Sequence, residues 1–232
     1  MTLWGGRFSA NSSEAMASLS RSVHFDWRLA PYDLVSSKAH CKNLVKGKIL
    51  SAAEGKKIES ALDLLLKDIE RGVIHPLPTD EDLHGVIERV LVERLGELGG
   101  KLRAGRSRND QIATDLRLYL RDVSCELVDS LIRLSEAFLQ KAKEYADAIA
   151  PGFTHLQHAQ PIIFGHELAK HAHALNRDIE RLSQWWERSG ISPLGAGALA
   201  GSALSAYPES SAKALGFASA SANSIDAVSD RD

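Results

Sequence analysis

Residues 109–147 read NDQIATDLRLYLRDVSCELVDSLIRLSEAFLQKAKEYAD. Apolar side chains recur in this stretch at steps of three or four residues from Ile112 to Tyr145, and no Gly or Pro interrupts them. The spacing predicts one α-helix of roughly 39 residues, about 58 Å long at about 1.5 Å per residue. A compact globule of this chain length would have a radius of gyration of about 17 Å and a width of about 45 Å. The helix is therefore too long for a small globule and indicates a bundle of long helices.

A second long helix is predicted from near Pro161 to Trp186. Its apolar residues follow a four-three spacing, which is typical of helices that pack side by side in a coiled-coil-like bundle. They are Leu168, Ala172, Leu175, Ile179, Leu182 and Trp186. Because the two helices carry more apolar surface than a small bundle can bury, we expect residues 112–145 and 164–186 to pack against copies of the same chain.

The remaining residues predict shorter helices and no strand, so the fold class is all-α. Residues 1–30 lack sustained periodicity and are interpreted as an arm, and helices are expected at 32–47, 51–72 and 79–96. Ser51 and Glu54 have the spacing of a capping box, and Thr79 or Asp80 would cap the third helix. Further helices are expected after Pro208 and near 223–224. We predict an arm and small helical domain over 1–108, and the first part of a central long-helix domain over 109–232.

Composition excludes several classes of protein. The chain has 232 residues, of which 44% are hydrophobic, and its 28 basic and 30 acidic side chains give a net charge of −2. The hydrophobic content excludes general disorder. The near-neutral charge removes the electrostatic reason to expect nucleic acid or an anionic membrane as partner. Two cysteines without C-x-x-C spacing make neither a disulfide framework nor a zinc site. Because no leader or 18-residue apolar run is visible, we expect a cytoplasmic protein.

The densest polar cluster comprises residues 101–110, which include Lys101, Arg103, Arg106, Arg108 and Asn109 between several glycines. Glycine lets a ligand approach the backbone, arginine offers forked donors to carboxylates, and the helix that follows begins with free amide groups. The cluster therefore suits a carboxylate or phosphate. The alternative is a solvated loop whose arginines pair with neighbouring acids.

A second cluster, residues 154–161, immediately precedes the second predicted long helix. His155 in this cluster can transfer protons, and Thr154, Gln157 and Gln160 can form hydrogen bonds with a substrate. The alternative is a set of helix-capping residues that contains a structural histidine. His84, near the start of its predicted helix, is open to a structural or a functional interpretation.

Two other motifs are rejected. His166 and Glu167 resemble the start of a zinc-binding helix, but the second histidine is His171, one residue too late for the required spacing. Gly195, Gly197 and Gly201 resemble a dinucleotide-binding loop, but their spacing is wrong and neither a preceding strand nor a βαβ unit is predicted. We therefore expect no metal site and no nucleotide fold.

Six motifs, taken together and in this order, resemble the argininosuccinate lyase family of the aspartase/fumarase superfamily. They are Trp4-Gly5-Gly6-Arg7-Phe8, Glu81-Asp82-Leu83-His84, Gly105-Arg106-Ser107-Arg108-Asn109-Asp110-Gln111, Pro151-Gly152-Phe153-Thr154-His155-Leu156-Gln157, Pro193-Leu194-Gly195-Ala196-Gly197-Ala198 and Asn223-Ser224-Ile225-Asp226. The resemblance extends over essentially all of the chain, and the combination is far more specific than any single motif.

The resemblance implies a long-helix bundle and a lyase of arginine biosynthesis that cleaves argininosuccinate to arginine and fumarate without a cofactor. It also implies a homotetramer in which segments of three subunits form each active site. His155 matches the family's catalytic histidine. The substrate-binding positions that match are Ser22, Asn109 and Thr154, with His84 and Arg108 as further contacts.

One departure from the family is large. The second catalytic residue of the family is a serine in a Gly-Ser-Ser-x-Met-Pro-x-Lys-x-Asn loop downstream of the Ser-Ile-Asp motif, and these 232 residues contain no such segment. We therefore expect the chain to be a fragment that is inactive alone. The alternatives are another fumarate-releasing lyase, such as one acting on adenylosuccinate, and a non-catalytic structural relative of the crystallin type.

Overall fold

The computed structural model describes residues 13–232, so the Trp4–Phe8 motif lies outside the described residues. The described residues divide into two compact units. The first contains residues up to Tyr119 together with Gly190–Asp232, and the second contains Leu120–Ser189. The division into domains at residue 108 stays a prediction.

The first unit is built mainly from helices. The helices of its N-terminal part are α1 (Glu14–Ser20), α2 (Val23–Asp26), α3 (Ala30–Lys46), α4 (Ala52–Glu70), α5 (Leu83–Leu95), α6 (Glu97–Lys101) and the first part of α7 (Arg108–Glu144). The described part of the predicted arm, residues 13–30, contains the short helices α1 and α2, and Ser13 Oγ caps α1 by accepting a hydrogen bond from Met16 N at 3.2 Å.

Helices α3, α4 and α5 form the core of the first unit. Leu34, Ile58, Leu62 and Leu83 are completely buried in it. The predicted capping box is confirmed at the start of α4, where Ser51 Oγ accepts from Glu54 N and the Glu54 carboxylate accepts from Ser51 N. The apolar side chains Ile58, Leu62 and Leu65 lie on one face of α4, and all three are completely buried.

The expected cap of α5 is wrong. Asp82 begins this helix, because its Oδ1 accepts a hydrogen bond from Gly85 N at 2.7 Å. Asp80 instead accepts a hydrogen bond from Leu77 N at 2.8 Å and pairs with Arg89. Helix α5 ends at Leu95, as expected, but the short helix α6 follows within the predicted stop and loop.

The C-terminal part of the first unit contains two very short parallel strands, β3 (Ile191–Ser192) and β4 (Ser219–Ala220). Helix α9 (Pro208–Ala214) lies between them in the chain, and α10 (Ser224–Ser229) follows them. The two predicted helices are confirmed here. Asn223 caps α10, since its Oδ1 accepts from Ile225 N at 3.0 Å.

The second unit contains the rest of α7, an antiparallel hairpin of β1 (Ile149–Thr154) and β2 (Gln157–Ile163), and α8 (Phe164–Arg188). The expectation of no strand is wrong here. Pro161 pairs with Pro151 across the hairpin instead of starting a helix, and α8 begins three residues later. The long helix α7 itself is confirmed with 37 residues.

Apolar side chains of the second unit remain on its surface. Leu127, Leu134 and Trp186, all members of the predicted packing faces, are 46%, 47% and 41% exposed. An apolar groove of about 310 Å³ lies between the end of α7 and the start of α8. It is lined by Leu134, Ala137, Phe138, Lys141, Tyr145, Phe164 and Leu168. Within residues 13–232, no helix combines the length and the apolar character needed to cross a membrane.

Candidate active site

Ser22 lies directly before α2 and is held by two contacts. Its Oγ donates a hydrogen bond to Asp26 Oδ2 at 2.6 Å, and its backbone N–H donates to the carbonyl oxygen of Glu81 at 2.9 Å. Asp26 Oδ1 in turn accepts from Leu83 N at 3.2 Å. Burial raises the pKa of Asp26, although the hydrogen bonds that its carboxylate accepts from Ser22 Oγ and Leu83 N oppose the shift. Ser22 is therefore fixed next to the start of α5.

His84 is the second residue of α5 and is buried. Its Nδ1 lies 2.7 Å from Asp33 Oδ2, on α3, and Gln111 Nε2 donates to the same oxygen at 3.0 Å. The ring also lines a small cavity of about 30 Å³, together with Arg103, Arg106 and Arg108. A cavity of this size holds about one water molecule. The structural and functional interpretations of His84 are thus compatible, because a buried partner holds a ring that still borders a polar cavity.

The cationic side chains of the loop after α6 mostly have acidic partners. Arg108 pairs with Asp82 through both Nε and Nη2, the latter at 3.1 Å. Lys101 pairs with Glu54 at 2.6 Å and Arg103 with Glu88 at 3.3 Å. Arg106 Nη1 donates to Ser37 Oγ at 2.9 Å, while its buried Nε has no hydrogen-bond partner among residues 13–232.

Asn109 and Asp110 connect the start of α7 to the loop that contains Gly195 and Gly197. Asn109 Nδ2 donates to the carbonyl oxygen of Ala198 at 3.0 Å. Asp110 Oδ2 accepts from Gly195 N at 3.1 Å and Gly197 N at 3.0 Å. Both glycines have a positive φ, of 106° and 62°, which lets their amides converge on one carboxylate.

Sequence reasoning missed this use of the glycine loop. The sequence predicts no nucleotide site for this loop, in part because it predicts no strand before it. The short strand β3 does precede it, which corrects that expectation, but the converging amides bind the Asp110 side chain. The overlooked signal was an Asp at the start of a helix combined with a Gly-x-Gly loop, both of which favour amide–carboxylate contacts.

Four of the six predicted site residues lie in the first unit and are connected there. Ser22 is bonded to the segment that contains Asp82 and His84, Arg108 is paired with Asp82, and Asn109 follows Arg108 in the chain. The starts of α2, α5 and α7 thus come together around these side chains. The arrangement presents polar and cationic groups of the kind that a carboxylate ligand requires.

Thr154 and His155 lie in the second unit, at the tip of the hairpin. Thr154 pairs with Gln157, which leaves His155 and Leu156 as the two residues of the turn. Both have a positive φ, of 53° and 60°, as a type I′ turn requires. Both side chains are exposed, and neither caps α8, whose N-cap residue is Ile163. The capping alternative is therefore wrong, and His155 is presented on a turn.

Among residues 13–232, one group of side chains has the composition of a metal site. Asp33, His84 and Asp115 each place a possible ligand atom within 4.8 Å of the others. Asp33 Oδ2 is already in contact with His84 Nδ1 and Gln111 Nε2, and the positive charge of nearby Arg106 opposes the binding of a metal cation. The rejected zinc residue His171 stacks on Phe138 with 4.8 Å between the ring centroids.

A family model described as Lyase matches residues 6–232. The chain belongs to this lyase family. The chain is 56% identical over its whole length to an argininosuccinate lyase from Frankia casuarinae, of which it covers 50%. It is 55% identical, over 99% of its length, to an argininosuccinate lyase from Acidothermus cellulolyticus, of which it covers 47%. The chain therefore spans about half the length of these curated relatives.

Solved structures agree with the fold class. EDDS lyase in complex with formate matches 91% of this chain with a TM-score of 0.76 and 28% identity, and the match covers 41% of that structure. A fumarate lyase:delta crystallin from Brucella melitensis matches 96% of this chain with a TM-score of 0.71, and the match covers 52% of that structure. At 24% identity the second likeness concerns the fold alone. The predicted all-α fold of the fumarase/aspartase superfamily is confirmed.

Proposed function

We propose that the complete protein containing this chain is an argininosuccinate lyase. The observation that carries the proposal is the identity of 55–56%, over nearly every residue of the chain, with proteins of that name. In the proposed reaction a base removes a proton beside a substrate carboxylate, which forms an aci-carboxylate dianion. The C–N bond then breaks, the guanidino nitrogen takes up a proton, and arginine and fumarate are released. The reaction needs no cofactor.

The proposed roles follow the chemistry of each side chain. His155 transfers a proton, either directly or through a partner, and its exposed position on a turn supports this role. Thr154 binds substrate beside it. Ser22 and Asn109 bind the substrate, with Arg108 and His84 as further contacts, and the substrate carboxylates gain negative charge as the dianion forms. Cationic and N–H donors stabilise such charge where it develops.

The proposed assembly is a homotetramer in the cytoplasm, with each active site formed by several subunits. The exposed apolar residues along α7 and α8 support it, since contiguous apolar surface of this kind usually marks an interface. Active sites formed by several subunits would also account for the exposure of His155 in the single chain.

A substrate panel tests the proposed reaction. The complete protein is supplied with argininosuccinate, adenylosuccinate or aspartate, and the absorbance of fumarate is followed. We expect turnover of argininosuccinate alone. Turnover of adenylosuccinate would favour the alternative of an adenylosuccinate-cleaving lyase. Fumarate release from none of the three compounds would favour a non-catalytic structural relative.

The Arg108→Ala substitution tests the proposed carboxylate contact. We expect kcat/KM for argininosuccinate to fall by about ten- to a hundredfold, the effect of losing one hydrogen bond to a charged group. The matched control is Arg89→Ala, because Arg89 also binds an aspartate, Asp80, through Nε and Nη2. Steady-state kinetics of both variants should separate ligand binding from loss of an internal ion pair. Equal kcat/KM values for Arg108→Ala and Arg89→Ala would contradict the proposed role of Arg108 in binding the substrate carboxylate.

A further inference from the structure

Asp33 is a buried carboxylate that collects three donors. His84 Nδ1 at 2.7 Å and Gln111 Nε2 at 3.0 Å both contact Oδ2, while Ser37 Oγ donates to Oδ1 at 2.9 Å. The side chain of Asp33 is completely inaccessible to solvent. Because a carboxylate oxygen only accepts hydrogen bonds, its contact with Nδ1 requires the ring proton to be on Nδ1. In the neutral ring Nε2 then carries the lone pair, so it can accept a hydrogen bond from a ligand.

Asp115 is an equally buried carboxyl in the same cluster, but it has a different role. Ser36 Oγ lies 2.7 Å from Asp115 Oδ1 and 3.0 Å from the carbonyl oxygen of Asp33. The hydroxyl has one proton, so both contacts are hydrogen bonds only when Asp115 supplies the other. Asp115 Oδ2 is buried without a hydrogen-bond partner in the described part of the chain, which also suits a neutral carboxyl.

The electrostatics agree with one charged and one neutral acid. Burial alone would raise the pKa of Asp33, but the hydrogen bond from His84 and the positive charge of Arg106 lower it below its usual range. Burial raises the pKa of Asp115 well above its usual range, and the negative charge of Asp33 adds to this rise. The negative charge of the cluster therefore lies on the carboxyl that faces the histidine.

We propose that Asp33 is a positioning residue that holds the proton of His84 on Nδ1 and thereby presents Nε2 to the substrate. The inference rests on the proposed function, because it takes His84 to be a substrate contact. It adds a residue from α3 to the site and explains why a buried aspartate lies beneath it. An asparagine at this position could not enforce the same state, since its amide can turn either its oxygen or its NH₂ group toward the ring.

The test compares two isosteric substitutions in the same buried cluster. Asp33→Asn removes the charge that faces His84, whereas Asp115→Asn replaces a carboxyl that is already neutral. The complete protein is labelled with ¹⁵N-histidine, and its solid-state spectra are recorded for the wild type and both variants. The His84 signals are identified by their loss in His84→Gln. We expect Nδ1 to carry a proton in the wild type and in Asp115→Asn, and to lose it at least in part in Asp33→Asn.

Kinetics of the same variants provide the second measurement. We expect kcat/KM for argininosuccinate to fall about 10- to 100-fold in Asp33→Asn, mostly through KM, the usual effect of losing the partner that orients a ligand-binding histidine. In Asp115→Asn the change should stay within about twofold. Equal losses in the two variants would indicate a general packing effect and overturn the proposal.

The spectra remain decisive if Asp33→Asn does not fold, because a wild-type His84 with its proton on Nε2 alone would also overturn the proposal. They also separate this proposal from the proposed function. A protein that does not cleave argininosuccinate but keeps the Nδ1 proton would refute the reaction and leave the Asp33–His84 arrangement supported.

Discussion

Replacing His155 with Asn is expected to lower the rate of fumarate formation by about a hundred- to ten-thousandfold, the contribution typical of a general acid or base. The substitution suits the backbone at this position. His155 has a φ of 53° in a two-residue turn, and asparagine is among the residues that most readily adopt this conformation. The hairpin should therefore be as stable as in the wild type, so that lost activity reports lost chemistry.

The control is His158→Asn in the same hairpin. His158 is exposed like His155, but it lies in β2, where its ring contacts Phe153 with 5.0 Å between the centroids. Fumarate absorbance measures the activity of the complete protein, while thermal unfolding and light scattering check its stability and assembly. We expect His158→Asn to keep most of the activity. Wild-type turnover by His155→Asn would refute the assignment of the catalytic histidine.

Replacing Asp110 with Ala is expected to reduce the free energy of unfolding by about 3 kcal/mol or more, because three backbone donors lose their acceptor and each donor left buried without a partner costs about 1–3 kcal/mol. Three amides lose their acceptor. Oδ1 accepts from Ser107 N at 2.9 Å, and Oδ2 accepts from the amides of Gly195 and Gly197. The substitution should also release the loop whose carbonyl at Ala198 holds Asn109.

Asp110→Asn should cost less than Asp110→Ala. Burial raises the pKa of Asp110, so the site disfavours the charge, and an asparagine retains one acceptor oxygen for the glycine amides. Asp129→Ala, at an exposed position on the same helix, serves as the control and should change stability by less than about 0.5 kcal/mol. Urea unfolding followed by circular dichroism provides the comparison. A loss in Asp110→Ala no larger than in Asp129→Ala would show that the three amides find other partners.

Elements with strong local signals could be predicted from the sequence. Helix α7 combines unbroken apolar spacing with the absence of Gly and Pro, and α4 combines a capping box with a single apolar face. Helix formation in such segments depends on residues three or four apart, which the sequence displays directly. The bounds of α3, Ala30–Lys46, also agree closely with the expected helix at 32–47.

Much of the buried surface of α3 could not be predicted from the sequence because it is polar. Asp33, Ser36, Ser37, His40 and Asn43 recur at helical spacing and are all buried. Their partners come from distant parts of the chain, such as Ser211 Oγ, which accepts from Asn43 Nδ2 at 2.9 Å. Polar residues normally indicate exposure, and only the matching donors and acceptors of a folded chain make their burial favourable.

The hairpin before α8 was missed for a similar reason. Its strands carry Pro151 and Pro161, one of which suits a helix start when taken alone. The pairing of the two strands satisfies their backbone groups. At the first residue of α8, Phe164 N donates a hydrogen bond to the carbonyl oxygen of Ala148 at 2.8 Å. Local propensity could not reveal this, because a hairpin is stabilised by cross-strand contacts.

The amino-acid sequence alone determines the long helices, the lyase family and the identity of the candidate site residues, because helix periodicity and motif order are both properties of the linear chain. The contacts that organise the site depend on the tertiary structure: Asp33 on His84, Asp82 on Arg108, and Asp110 on the glycine loop. These partners are 51, 26 and 85 or 87 residues apart. Hydrogen bonds over such separations form only after folding has removed the groups from water, and no local pattern encodes which donor meets which carboxylate.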